Sequence, residues 1–267
     1  MEDLDKHTFF HAAIKNSFPN ATNIRTPDGC TPNKPIFLAD TRKRGPIICK
    51  FVDSRIATRD KQVSENLTRK GFNIPKINIH GYFAQWYEVY KYNPNPTLAE
   101  FIAKLPGDDK IFDTYKQVLD FQARLSDCSL DEIYSSRGKY FYDVYKMSPT
   151  VARPKALFNA IIKATSQYHN VRLLHCDLHP ANIICKKDGT LDQIIYVTGI
   201  ALASEEFAMI SLLDGFPLPD MSEELMDYYD SITHRKLDRK FIRAGLAARK
   251  IQKKLRAFKN DIAARIK

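Results

Sequence analysis

Residues 175–182, His175-Cys176-Asp177-Leu178-His179-Pro180-Ala181-Asn182, place a carboxylate and a carboxamide five positions apart with imidazoles beside them. A carboxylate held in a polar loop can take a proton from a hydroxyl. A carboxamide oxygen is the kind of donor that a hard cation accepts. The four residues between Asp177 and Asn182 make a loop that lets both side chains converge on one cleft. His175 is expected to pack below that loop and fix its backbone.

These side chains need elements to hold them. A helix is expected to end near Tyr168-His169-Asn170, followed by Val171–Leu174 and then by the loop. The apolar strand Ile183-Ile184-Cys185 comes next, then a tight turn at Lys186–Gly189 and a returning strand over Asp192–Val197. Earlier in the chain, residues 1–20 read as a helix. Apolar runs at 35–39 and 46–52 read as strands joined by a hairpin at 41–45. Residues 59–70 read as a helix that stops at Gly71, and 76–80 and 83–92 as two further strands. Asn93-Pro94-Asn95-Pro96 breaks the chain, and 97–104, 110–125 and 154–168 are helical in pattern. The strand-rich first third and helical remainder predict two lobes with a hinge near 88–96. The boundaries expected are 1–92, 93–234 and a terminal element at 235–267. No internal repeat is visible.

The motif His-x-Asp-x-x-x-x-Asn, in its form Asp-Leu-His-Pro-x-Asn, resembles the catalytic loop of the protein-kinase-like superfamily. The likeness is to its small-molecule branch of aminoglycoside and choline phosphotransferases and lipopolysaccharide core sugar kinases. It covers roughly residues 21–215. It implies an α+β, two-lobed protein-kinase-like fold with a small strand-rich N-lobe and a helical C-lobe. It also implies an ATP-dependent phosphotransferase acting on a hydroxyl, of a sugar or a lipopolysaccharide core. In that likeness Asp177 is the base, His175 supports the loop, and Asn182 holds Mg²⁺ against the nucleotide phosphates. Ile47-Ile48-Cys49-Lys50 resembles the strand whose Lys contacts those phosphates, and Glu65, fifteen residues on, is its expected ion-pair partner. Gly29 lies where a phosphate-covering loop would run, although Pro27 and Pro32 remove backbone donors beside it. Tyr90, in Glu88–Tyr92, falls at the hinge that would meet an adenine.

One expected residue is absent. The superfamily carries a metal-binding Asp in Asp-Phe-Gly about fifteen residues after the loop. This chain reads Val197-Thr198-Gly199-Ile200-Ala201 there. A valine cannot ligate a hard cation. Either the chain is a pseudokinase or regulatory binding module, or the ligand comes from another acid such as Glu205, Glu206 or Asp214, or Val197 is a substitution.

Composition sets the remaining bounds. A 267-residue chain with 44% hydrophobic residues can bury a sizeable core. No run of about 18 apolar residues occurs, which argues against a transmembrane helix. The acidic start Met1-Glu2-Asp3 does not resemble a signal peptide. Five widely spaced cysteines without a Cys-x-x-Cys fit a reducing cytoplasm. The net charge of +10 is concentrated at one end: residues 235–267 hold 13 Lys/Arg against Asp238 and Asp261, and the rest of the chain is close to neutral. Apolar positions at steps of three and four make this segment an amphipathic helix, or two helices with a joint near Gly245. It is expected either to pack on the second lobe or to meet an anionic phospholipid or glycan surface, with nucleic acid as a further partner class. The protein is therefore expected to be cytoplasmic, with a peripheral membrane position open to it.

Overall fold

The structure, a computed structural model, describes residues 3–27, 35–129, 133 and 172–265, with side chains over 7–27, 35–129, 133 and 172–255. The expected helix at 154–168, the loop around Gly29 and the fifth cysteine, Cys30, lie outside the described residues. The chain divides into two compact units. The first takes the described residues up to 95, Ile133 and Gln193–Thr198; the second takes those of 96–129, 172–192 and 199–265.

The first unit is an antiparallel sheet in the order β1-β2-β3-β5-β4, built from β1 (Thr22–Arg25), β2 (Ile36–Thr41), β3 (Gly45–Val52), β4 (Asn78–Tyr82) and β5 (Gln85–Lys91). Side chains alternate between its faces. One face carries Phe37, Ala39, Ile47, Cys49, Phe51, Tyr87 and Val89. These pack with Ala13 and Ile14 of helix α1 (Asp3–Ser17), and Tyr87 Oη donates to the Ala13 carbonyl at 3.0 Å. Residues one step out of phase, Ile48, Lys50, Glu88 and Tyr90, take the other face. Lys50 stands directly opposite Glu88 in the β3–β5 register.

Helix α2 (Ser54–Arg69) starts at a side-chain cap, where Asp53 accepts from the Arg55 N–H at 2.8 Å. That cap sets the start five residues before the one expected. The helix buries Ala57, Asp60, Val63, Ser64 and Leu67, a single stripe at helical spacing that contains one acid.

The second unit contains α3 (Leu98–Ile102), α4 (Asp108–Ser126), the antiparallel pair β6 (Arg172–His175) with β9 (Ile200–Ala203), strand β7 (Ile183–Cys185) and the first half of its partner β8 (Leu191–Ile194), and helices α5 (Glu205–Leu213), α6 (Ser222–Thr233) and α7 (Arg239–Arg265). The strand expected to reach residue 197 stops at Ile194. Tyr196 follows at φ 68°, and Val197–Gly199 form a 3₁₀ turn. Gly245 is not a joint, because α7 is continuous across it. The glycine instead lets α7 approach α5: a Cβ there would lie 2.2 Å from Ile210 Cδ1. Leu237 and Ile242 are buried, so the start of the basic segment is part of the core.

Glu205 ties several of these helices together. It is buried, and it accepts from Tyr229 Oη at 2.9 Å and Arg235 Nε at 2.9 Å. Arg235 reaches on to Ser126 and Asp127 at the end of α4. Among the described residues no helix is long and apolar enough to cross a membrane.

Candidate active site

The loop is fixed from below. His175, at the end of β6, is fully buried. Its backbone N–H donates to Gln122 Oε1 at 3.1 Å, and Gln122 Nε2 returns a bond to the His175 carbonyl at 3.4 Å, so one amide of α4 holds the strand end. The His175 Nδ1 accepts the Asp177 N–H at 3.2 Å, which leaves Nε2 to carry the proton of the neutral ring. Gly199 closes the other side: a Cβ would sit 2.8 Å from His175 Cε1 and 3.2 Å from Asp177 Cβ. The Cys176 N–H donates to the Gly199 carbonyl at 2.8 Å.

The loop then turns through the 3₁₀ segment Pro180–Asn182. Asn182 Nδ2 donates to the Asp177 carbonyl at 2.8 Å and to Asp177 Oδ2 at 3.2 Å. Both donor hydrogens are thus directed at Asp177, and Oδ1 is the atom of Asn182 suited to a cation. His179 Nε2 lies 4.0 Å from Asp177 Oδ2. The Asp177 side chain keeps 43% of its surface exposed, so it is held in place yet open to a reactant.

In the first unit Lys50 is not paired with Glu65. Its Nζ donates to Glu88 Oε2 at 3.0 Å and to Thr198 Oγ1 at 3.0 Å, and it lies 3.8 Å from Asp60 Oδ2. The Tyr196 ring is 5.0 Å away. Thr198 Oγ1 donates to Asp60 Oδ2, and Arg59 holds Asp60 Oδ1 through Nε at 2.9 Å and Nη2 at 2.6 Å. Glu65 sits on another face of α2, where it meets Lys61 at 3.9 Å. The reason is helical phase: at 100° per residue Glu65 is about 140° round from Asp60, which lies in the buried stripe. Asp60 and Glu88 are both essentially buried. Burial pushes the Glu88 carboxyl up to about 7, against the pull of Lys50 and with help from Asp60. Among the described residues its Oε1 has no hydrogen-bond donor. Tyr90 lies two residues along the same strand and is partly buried.

Sequence reasoning missed Asp60, Glu88 and Thr198. The signals were an acid in the apolar stripe of α2, an acid cross-strand from Lys50, and a hydroxyl beside Val197.

On the loop, Asn182 Oδ1 is the oxygen best suited to a divalent cation. Val197 is buried and its side chain has no oxygen to offer. The alternative acids are engaged: Glu205 by Arg235 and Tyr229, Glu206 by the Asp238 N–H, and Asp214 by Lys253 at 2.7 Å and Arg249 at 3.5 Å. No group of three or more His, Cys, Asp or Glu side chains among the described residues could hold a metal. Among the described residues no carboxylate is free at Val197, the residue that aligns with the superfamily's metal-binding Asp.

No protein-family model and no curated sequence matches the chain. Solved structures do. The aminoglycoside-3'-phosphotransferase of type VIII matches at TM-score 0.64 and 12% identity, over 92% of this chain and 98% of that one. The choline kinase LicA from Streptococcus pneumoniae matches at 0.62 and 15%, over 90% of this chain and 85% of that one. The macrolide 2'-phosphotransferase MphH from Brachybacterium faecium matches at 0.56 and 12%, over 89% and 87%. The chain has the protein-kinase-like fold. Within that kinase-like fold, Lys50 lies beside two buried acids, and Val197 is buried.

Proposed function

We propose that this kinase-like chain is an ATP-dependent phosphotransferase whose acceptor is a hydroxyl of a small molecule or glycan, a sugar or lipopolysaccharide core among them. The observation that carries it is Asp177: an exposed carboxylate on a loop fixed by His175, Asn182 and Gly199. Asp177 takes the proton of the acceptor hydroxyl, the acceptor oxygen bonds to the γ-phosphorus, and the bond to the bridging oxygen breaks to release ADP. Lys50 serves the nucleotide phosphates. Solved relatives of the fold are complexes with GDP or AMP, and one also holds kanamycin, which supports a nucleotide and a hydroxylated small molecule as ligands.

Helix α7 bears on the acceptor's charge. Lys250 and Lys254 are exposed beside Ile251 and Leu255. Such a face favours an anionic acceptor or an anionic surface over a cationic acceptor. The test is transfer of labelled γ-phosphate to a panel of neutral, cationic and anionic hydroxylated acceptors. Asp177→Asn should lower turnover by about 10²–10⁴-fold with ATP binding retained. Equal turnover in the variant would remove Asp177 from the role.

A second assignment, a nucleotide-binding pseudokinase, is favoured by buried Val197. It predicts ATP binding without Mg²⁺ dependence and no transfer to any acceptor.

A further inference from the structure

The Lys50 cluster contains one more acid than a phosphate clamp requires. Lys50 and Arg59 bring two positive charges, Asp60 and Glu88 two potential negative ones, and all four side chains are at most 14% exposed. The two acids are unequally served. Asp60 receives Arg59 twice and Thr198 once. Glu88 receives only Lys50 on Oε2, and its Oε1 is buried without a donor among the described residues. A buried carboxylate oxygen with no donor is costly as an anion and acceptable as a protonated carboxyl.

The groups facing Glu88 are few. Lys50 comes from β3, Asp60 with its Arg59 from α2, and Thr198 and Tyr196 from the segment before β9. Its register partner on β4 is Ile79, which is uncharged. Among the described residues Lys50 is therefore the one cation in direct contact with Glu88, and it is also the cation assigned to the nucleotide.

Resting on the assignment of Lys50 to the nucleotide phosphates, we infer that ATP binding is coupled to uptake of a proton by Glu88. A phosphate oxygen that reaches the Lys50 ammonium competes with Glu88 Oε2, 3.0 Å from the same nitrogen. With Glu88 ionised, the cluster is neutral and the phosphate meets a like charge. With Glu88 protonated, the cluster carries one positive charge, and the carboxyl can yield Lys50 without leaving a bare buried anion. Burial already holds this carboxyl up to about 7, and an adjacent phosphate raises it further. Just above neutrality the free protein therefore has Glu88 largely ionised and the complex has it protonated. Glu88 is in this sense a positioning residue: it acts through Lys50.

The test is calorimetric titration of the full chain with ATP at about pH 8, where ATP itself is fully ionised, in buffers of different ionisation enthalpy. The wild type should take up close to one proton per ATP bound. Its affinity should fall by up to about tenfold per pH unit above neutrality. Glu88→Gln, which keeps the neutral shape, should bind ATP with no proton uptake and nearly independently of pH. It should bind more tightly than wild type on the alkaline side. ATP binding by the wild type without proton uptake overturns the coupling and leaves the nucleotide assignment standing. Equal uptake in Glu88→Gln assigns the proton elsewhere and also overturns it. No ATP binding by the wild type at any pH between about 6 and 9 overturns the nucleotide assignment, and the coupling with it. The proton count on the wild type needs no variant, so a Glu88→Gln chain that fails to fold does not remove the test.

Discussion

A Cβ on Gly199 would lie 2.8 Å from His175 Cε1, closer than ordinary carbon contacts permit. His175 is fully buried and its Nδ1 holds the Asp177 N–H, so the ring cannot retreat without moving the loop. Gly199→Ala is therefore expected to destabilise the chain by about 1–3 kcal/mol, the usual cost of overpacking. It should also slow phosphate transfer beyond what the stability loss explains. Denaturant unfolding and single-turnover kinetics on the same protein check both. A variant as stable and as fast as wild type would mean that the loop does not depend on this packing.

The acid that matters on α2 is Asp60. Removing one member of a buried charge network leaves the others uncompensated, so Asp60→Ala should cost on the order of 3–5 kcal/mol. Glu65 meets only Lys61 on a half-exposed surface, and Glu65→Ala should stay within about 0.5 kcal/mol of wild type. Urea midpoints of the two variants decide the matter, and a larger loss from Glu65 would return it to the role of Lys50's partner.

Val197→Asp tests the metal position. Val197 is 4% exposed, and an unpaired carboxylate there should lower Tm markedly in the absence of divalent ions, since burying such a charge costs several kcal/mol. Addition of Mg²⁺ with ATP should recover much of that loss. A Tm that ignores Mg²⁺ would show that this position does not face the metal.

The main elements were legible because β2 and β3 are continuous apolar runs, β5 is rich in aromatic and β-branched residues, and α4 follows a 3.6-residue repeat. Strand β1 was not, being four residues long and largely exposed. The early start of α2 was hidden by its polar first turn, Ser54-Arg55, which carries little periodic signal. The loop at 175–182 was legible as a unit because its residues bond to one another locally, within eight positions. The partners of Lys50 were not, because they come from 10, 38 and 148 positions away and are chosen by strand register and helical phase rather than by spacing. Gly245 misled for a related reason: in a sequence it marks a weak point in a helix, whereas here its missing side chain is what admits Ile210.

The basic segment is two things in one helix. Deleting residues 251–267 should leave the fold intact with only a small change in Tm, since Ile251 and Leu255 are half exposed and Lys253 makes a surface contact. Deleting 235–267 removes Arg235 from buried Glu205, together with Leu237 and Ile242. That deletion should cost about 3–5 kcal/mol from the orphaned charge alone. Thermal unfolding of the two shortened chains separates the outcomes. Similar Tm values for both would mean that the whole segment is dispensable to the fold.

Lys50 and Glu88 are both carried on strands, opposite one another in a fixed register. A charge pair between a strand and a helix can be opened like a jaw by swinging the helix. A pair across a single rung of one ladder has no jaw, since the backbone bonds that form the sheet also set its gap. The Lys50–Glu88 pair is therefore open to chemical control: whatever adds or removes charge at the rung acts on it without either strand changing place.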